Sequence, residues 1–168
     1  CCTYAPNTNR VDCWGKSDHG QAGGTSPNQA LTAVSLHGNI HELALGEITS
    51  CAHTTAGVEC WGDNEFGQFG SGEDSNAPDV TADVTIENRV YSFNYLTAGN
   101  EGLFCGSTTN DLHCWGRLDE ENNGMDLSGN ERQWSNVPVQ IDRPMQEPPG
   151  PQFGSPGQIA ADAYSACA

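Results

Sequence analysis

Eight cysteines, at positions 1, 2, 13, 51, 60, 105, 114 and 167, are the residues of this sequence best placed to do chemistry. Thiols at this density either ligate metal or form disulfides. Structural zinc sites draw on close pairs of the Cys-x-x-Cys kind, and no two of these cysteines have that spacing. Cys51 and Cys60 have eight residues between them, as do Cys105 and Cys114. That pattern favours disulfides, and disulfides persist in oxidising compartments.

The remaining inventory for catalysis is thin. Of the five histidines, His37 and His41 are four apart, but Gly38 and Asn39 between them argue against a helix that would present both to zinc. His53 and His113 fall beside the cysteines and read as packing residues. The sequence contains no His-Glu-x-x-His, no Gly-x-Ser-x-Gly elbow and no phosphate-binding loop. No cysteine is paired in sequence with an obvious base, so the chain reads as non-catalytic. One loop has the alternating oxygen donors of a calcium site: Asp119, Glu121 and Asn123, followed by Gly124. Its match is imperfect, because Glu stands at the third ligand position and Asn130 at the twelfth. Calcium is the only cofactor the sequence suggests.

Charge narrows the partners. Asp and Glu number 22 against 6 Lys and Arg, a net charge of −16, and Lys16 is the only lysine. A nucleic-acid site needs a basic groove or stripe, which this composition cannot build. Anionic lipid headgroups are disfavoured for the same reason, and no apolar run reaches the ~20 residues needed to cross a bilayer as a helix. With 20 glycines and 9 prolines in 168 residues, long helices are disfavoured as well.

The cysteines belong to a repeat. Cys-Trp-Gly occurs at 13–15, 60–62 and 114–116, at intervals of 47 and 54 residues, with Cys2, Cys51 and Cys105 upstream of the three copies. The units read approximately 1–46, 47–98 and 99–157, and a fourth begins at 158–168, where QIAADAYSACA aligns with ELALGEITSCA. In each unit the two cysteines flank turn chemistry, Thr-Thr-Ala-Gly in the second and Thr-Thr-Asn-Asp in the third, so each reads as an antiparallel hairpin. The cysteines then face each other across the pair, which predicts the disulfides Cys2–Cys13, Cys51–Cys60 and Cys105–Cys114. Successive strand residues point to opposite faces, so Trp14, Trp61 and Trp115 project away from the disulfides. Sheets with Trp on one face and a disulfide on the other need cover on both. Stacked propeller blades supply it, and the three tryptophans are expected to be buried between blades. Trp134, outside the repeat, need not be.

The hairpin followed by Asp63-Asn64-Glu65-Phe66-Gly67-Gln68-Phe69-Gly70 resembles the repeat of the regulator of chromosome condensation (RCC1) superfamily, most closely its disulfide-bearing secreted bacterial form. The first unit keeps Gly20-Gln21-Ala22-Gly23, whereas the third departs after Gly116, where RLDEENNGMDLSG replaces that turn. The resemblance implies an all-β chain of RCC1-like propeller blades, about seven in a whole ring, in a family of binding platforms. Three periods do not close a ring. The chain is expected either to be part of a longer propeller or to assemble with copies of itself, the last strand of one completing the first blade of the next. The outer strands of the blades are expected within 24–46 and 76–98, and the Pro/Gly stretch 142–157 reads as a surface insertion.

Two function classes follow. The first is a non-catalytic extracellular or cell-surface scaffold that binds protein or glycan, or takes part in a surface assembly. The second is an intracellular nucleotide-exchange or regulatory module. Cysteine usage and the acidic charge favour the first. Once the three hairpins are paired, Cys1 and Cys167 remain for a further bond, within or between chains.

Overall fold

A computed structural model describes residues 1–24, 26–72, 82–83, 85–86, 89–90, 93–99, 102–109, 111–118, 134–141, 160–161 and 166–167; for residue 29, the short pairs between 82 and 90, and the pairs at 160–161 and 166–167, only the backbone is described. Every regular element among these residues is a β-strand. Strands β1 (Cys2–Tyr4), β2 (Arg10–Gly15) and β3 (Gln29–Ser35) form the first blade. Strands β4 (Ile40–Leu45), β5 (Thr49–Thr54), β6 (Gly57–Gly62) and β7 (Ala82–Asp83) form the second. A separate hairpin of β8 (Thr85–Ile86) and β9 (Arg89–Val90) precedes the third blade. That blade consists of β10 (Tyr95–Ala98), β11 (Leu103–Ser107), β12 (Leu112–Arg117) and β13 (Trp134–Gln140). Finally β14 (Ala160–Ala161) pairs with β15 (Ala166–Cys167).

All pairings are antiparallel and follow chain order within each sheet, the meander of a propeller blade. Turn chemistry fixes the hairpins. Thr54 Oγ1 accepts the Ala56 N–H at 3.1 Å and donates to the Gly57 carbonyl at 3.1 Å. In the third blade the Thr108 N–H donates to the Asp111 carbonyl at 2.9 Å, and Thr108 Oγ1 accepts the Asp111 N–H at 3.1 Å. With the turns set, Cys2 lies opposite Cys13, Cys51 opposite Cys60, and Cys105 opposite Cys114, and each pair is disulfide-bonded with a Cα separation of 4.1 Å.

Sheet membership places the blade boundaries differently from the repeat count. The region 24–46 contributes both the last strand of blade 1, β3, and the first strand of blade 2, β4. Within 76–98, only Ala82–Asp83 joins blade 2, and Tyr95–Ala98 opens blade 3. The start of a further unit keeps the same register: Ala160 lies opposite Cys167 as Ala44 lies opposite Cys51.

Strand alternation builds the core between blades rather than within them. The disulfide face of blade 2, with Ala44, Cys51, Val58 and Cys60, packs on Phe93, Leu96, Phe104 and Trp115 of the third repeat. The disulfide face of blade 1, with Val11 and Cys13, packs in the same way on Ile40, Ala52 and Trp61 of blade 2. The glycine after each Trp is required by the backbone: Gly15, Gly62 and Gly116 have φ of 108°, 107° and 83°. A Cβ at Gly116 would also strike the Gly102 carbonyl oxygen.

Candidate functional site

Two places concentrate polar chemistry. The first is the joint between blades. The Trp61 Nε1–H donates to the Gln21 carbonyl at 3.1 Å, and the Trp115 Nε1–H donates to the Gln68 carbonyl at 2.9 Å. Each acceptor is the glutamine of the Gly-Gln-x-Gly turn of the preceding blade. The turns are built alike. Ser17 Oγ accepts the Ala22 N–H at 3.0 Å, and Asn64 Oδ1 accepts the Phe69 N–H at 2.8 Å. Gln21 Oε1 accepts the His19 N–H at 3.0 Å, and Gln68 Oε1 the Phe66 N–H at 2.8 Å. The glutamine side chain thereby holds its own carbonyl toward the next blade. Ser50 Oγ donates to the same Gln21 carbonyl at 3.0 Å, and Gln21 Nε2 donates to the Glu47 carbonyl at 3.1 Å. This joint is structural. The sequence marks it by the repeated turn, but the role of Gln21 and Gln68 was not legible without the stacking.

The second place is a groove of about 870 Å³ lined by Tyr4, His41, Glu42, Leu43, His53, Thr54, Thr55, Phe93, Asn94 and Tyr95. It runs along the first strands of the blades, where β4 lies against β10. A register shift between Ile40 and Glu42 bulges β4 at His41, while Glu42 lies opposite His53. A bulge re-aims the side chain it carries, and here the His41 and His53 rings come to 5.3 Å between centroids, tilted by 52°. Tyr4 donates its hydroxyl to the His41 carbonyl at 2.7 Å. Glu42 Oε2 accepts the Leu96 N–H at 2.8 Å, joining blade 2 to blade 3. Burial holds the Glu42 carboxyl above the usual carboxylate range against that hydrogen bond. Burial, and after it the neighbouring His41, hold the His53 imidazole below its ordinary value. Two imidazoles, a carboxylate and three aromatic rings facing one groove suit recognition of polar or cationic groups.

The residue before each Cys-Trp varies with its setting. Glu59 is buried and accepts both the His37 backbone N–H, at 2.8 Å, and the His37 ring, whose Nδ1 lies 2.9 Å away. Asp12 instead pairs with Arg10 at 2.6 Å on the surface. His113 is buried beside the Phe93 ring, and burial lowers its basicity more than Asp111 raises it.

Of the residues singled out in the sequence, Trp61 and Trp115 are buried, at 2% and 0% exposure. Trp14 departs from the expectation: it is 41% exposed. Its counterparts are covered by the glutamine turn of the preceding blade, and among the described residues no such turn stands before Trp14. Trp134, at 44%, is on the surface of β13. Cys1 is an exposed free thiol whose terminal amine donates to the Trp14 carbonyl at 2.8 Å. The side chain of Cys167 and the calcium candidates Asp119, Glu121 and Asn123 lie outside the described residues. Among the described residues, no three His, Cys, Asp or Glu side chains converge as a metal cluster.

No family model matches the chain, and no curated protein sequence matches it. Solved structures do. Human WBSCR16 matches over 80% of this chain and 34% of its own, with a TM-score of 0.62 and 21% identity. The structure of Kap60 bound to yeast RCC1 (Prp20) matches over 92% of this chain and 36% of the matched chain, with a TM-score of 0.65 and 22% identity. Prp20p from Saccharomyces cerevisiae, in a structure reported with its binding properties to Gsp1p and histones, matches over 86% and 39%, with a TM-score of 0.56 and 18% identity. The fold is therefore that of RCC1-like propeller blades, and the chain spans a little over a third of the solved chains it matches.

Proposed function

We propose that this protein is a non-catalytic extracellular or cell-surface propeller scaffold that binds a protein or glycan partner. The observation that carries this reading is the staple within each blade. Three disulfides occupy one register, and Cys13, Cys51, Cys60, Cys105 and Cys114 are buried. Bonds of this kind belong to an oxidising compartment, whereas an intracellular exchange module would carry the same six cysteines as thiols. Protein partners are the first choice because solved proteins of this fold bind proteins: Kap60 is bound to yeast RCC1, and Gsp1p and histones are binding partners of Prp20p. A net charge of −16 favours a cationic partner surface. Further copies of the chain are a second class of partner. Trp14 is 41% exposed, β14 and β15 repeat the opening register of a blade, and Cys1 is an exposed free thiol whose proposed partner is Cys167 of another copy.

The test is labelling of intact cells that make the protein with a membrane-impermeant amine reagent, combined with a photo-crosslinking residue at Tyr95 in the groove. The expected result is labelling without lysis and a crosslinked protein or glycan adduct. A protein labelled only after lysis would overturn the reading.

A further inference from the structure

We infer that the His41–His53 pair is a binding site for a divalent transition cation of the zinc, nickel or copper class. The geometry of the two rings carries the inference. A metal bound by imidazole lies ~2.0–2.1 Å from the ligating nitrogen, and a tetrahedral angle between two such rings sets their centroids about 5 Å apart. The observed separation is 5.3 Å, with the rings tilted rather than stacked. The bulge at His41 creates it, since regular alternation would send His41 to the face opposite His53.

The surroundings favour a ligand over a core role. Both rings face the groove, and among the described residues neither makes a hydrogen bond through a ring nitrogen. The supports are rigid: His53 lies within the central hairpin of blade 2, stapled by Cys51–Cys60, and the backbone of His41 is held by the Tyr4 hydroxyl. Imidazole pairs select zinc, copper and nickel over calcium and magnesium, which prefer oxygen. No third His, Cys, Asp or Glu side chain converges with the pair among the described residues, so the other coordination positions are open to water or to a donor on a molecule docked in the groove. The inference holds for the chain whatever partner it binds.

The experiment uses tag-free protein with its disulfides intact and its free thiols alkylated, so that Cys1 cannot contribute. Nickel and zinc ions are titrated by calorimetry, and copper(II) is examined by electron paramagnetic resonance. The expected result is one site per chain with a two-nitrogen copper signature. His41→Asn and His53→Asn should each weaken binding at least ~10-fold, since loss of even an outer-shell partner costs that much. His37→Asn, whose ring sits on Glu59 instead, should leave binding unchanged. His41 is exposed, so His41→Asn should keep the wild-type melting temperature without metal and lose the rise that metal gives the wild type. No uptake at millimolar metal, or full binding in both His41→Asn and His53→Asn, would overturn the inference.

Discussion

The indole N–H of Trp115 donates to the backbone carbonyl of Gln68, 47 residues earlier in the chain, at 2.9 Å. The Trp61–Gln21 bond repeats it one blade back at 3.1 Å. These bonds tie the second strand of a hairpin to the turn of the preceding blade, and they run through the apolar layer that the disulfides also line. Blade stability is therefore shared across each joint.

Trp115→Ala should cost about 3–5 kcal/mol, the range for deleting a large buried side chain. Trp115→Phe should cost about 1–3 kcal/mol, because the Gln68 carbonyl loses its donor in a buried site. Trp14→Ala should cost about 1 kcal/mol or less, since Trp14 is 41% exposed. Urea unfolding of the three variants checks this, and equal losses at Trp14 and Trp115 would contradict it.

Gly116→Ala should destabilise more than Gly72→Ala. Both glycines have positive φ, 83° and 86°. A Cβ at Gly116 collides with the Gly102 carbonyl oxygen, whereas at Gly72 the nearest atom is Val137 Cγ1 at 3.7 Å. The shared backbone strain is ~1–2 kcal/mol, and the collision adds roughly 1–3 kcal/mol at Gly116. Thermal melts of the two variants read the difference.

Joint replacement of Cys51 and Cys60 by alanine should cost ~2–5 kcal/mol, the range for a native disulfide in a small domain. Both sulfurs pack in the joint with Trp115, so tryptophan fluorescence should report the loss as well. An unchanged unfolding midpoint would remove the staple from the account.

His113 sets a pH dependence. Burial holds its folded-state value below the ordinary one, against the opposing pull of Asp111. The unfolded chain therefore binds a proton before the folded chain does. Stability is unaffected above the ordinary histidine value of ~6.5 and falls as pH drops below it toward the folded value. Stability measured from pH 8 to pH 5 should decline over the acidic part of that range; His113→Leu should reduce the decline, and His53, held low by burial in the same way, contributes the remainder.

Much of the fold was legible because the repeat is written in residues that cannot be exchanged. Cys-Trp-Gly combines a disulfide partner, a joint residue and a glycine with positive φ, so its three copies locate the hairpins and their faces. What was not legible depends on neighbours. Trp14 carries the same motif as Trp61, but among the described residues no glutamine turn stands before it, and the motif alone does not show which copy is covered. The first strands, Ile40–Leu45 and Tyr95–Ala98, lack the motif and were separable from the preceding unit only through hydrogen bonding. The His41–His53 pair was hidden because a bulge, not a period, brings the rings together. The spacing of His37 and His41, set aside because Gly38 and Asn39 argue against a helix, gave no lead to it.

The most direct measurement is thiol mapping of the protein taken from the cells that make it, alkylated at lysis without reductant and digested. The account predicts crosslinked peptides joining Cys2 to Cys13, Cys51 to Cys60, and Cys105 to Cys114, with no alkylation at these six positions. Six alkylated thiols, or pairs formed between blades, would contradict the stapled extracellular scaffold.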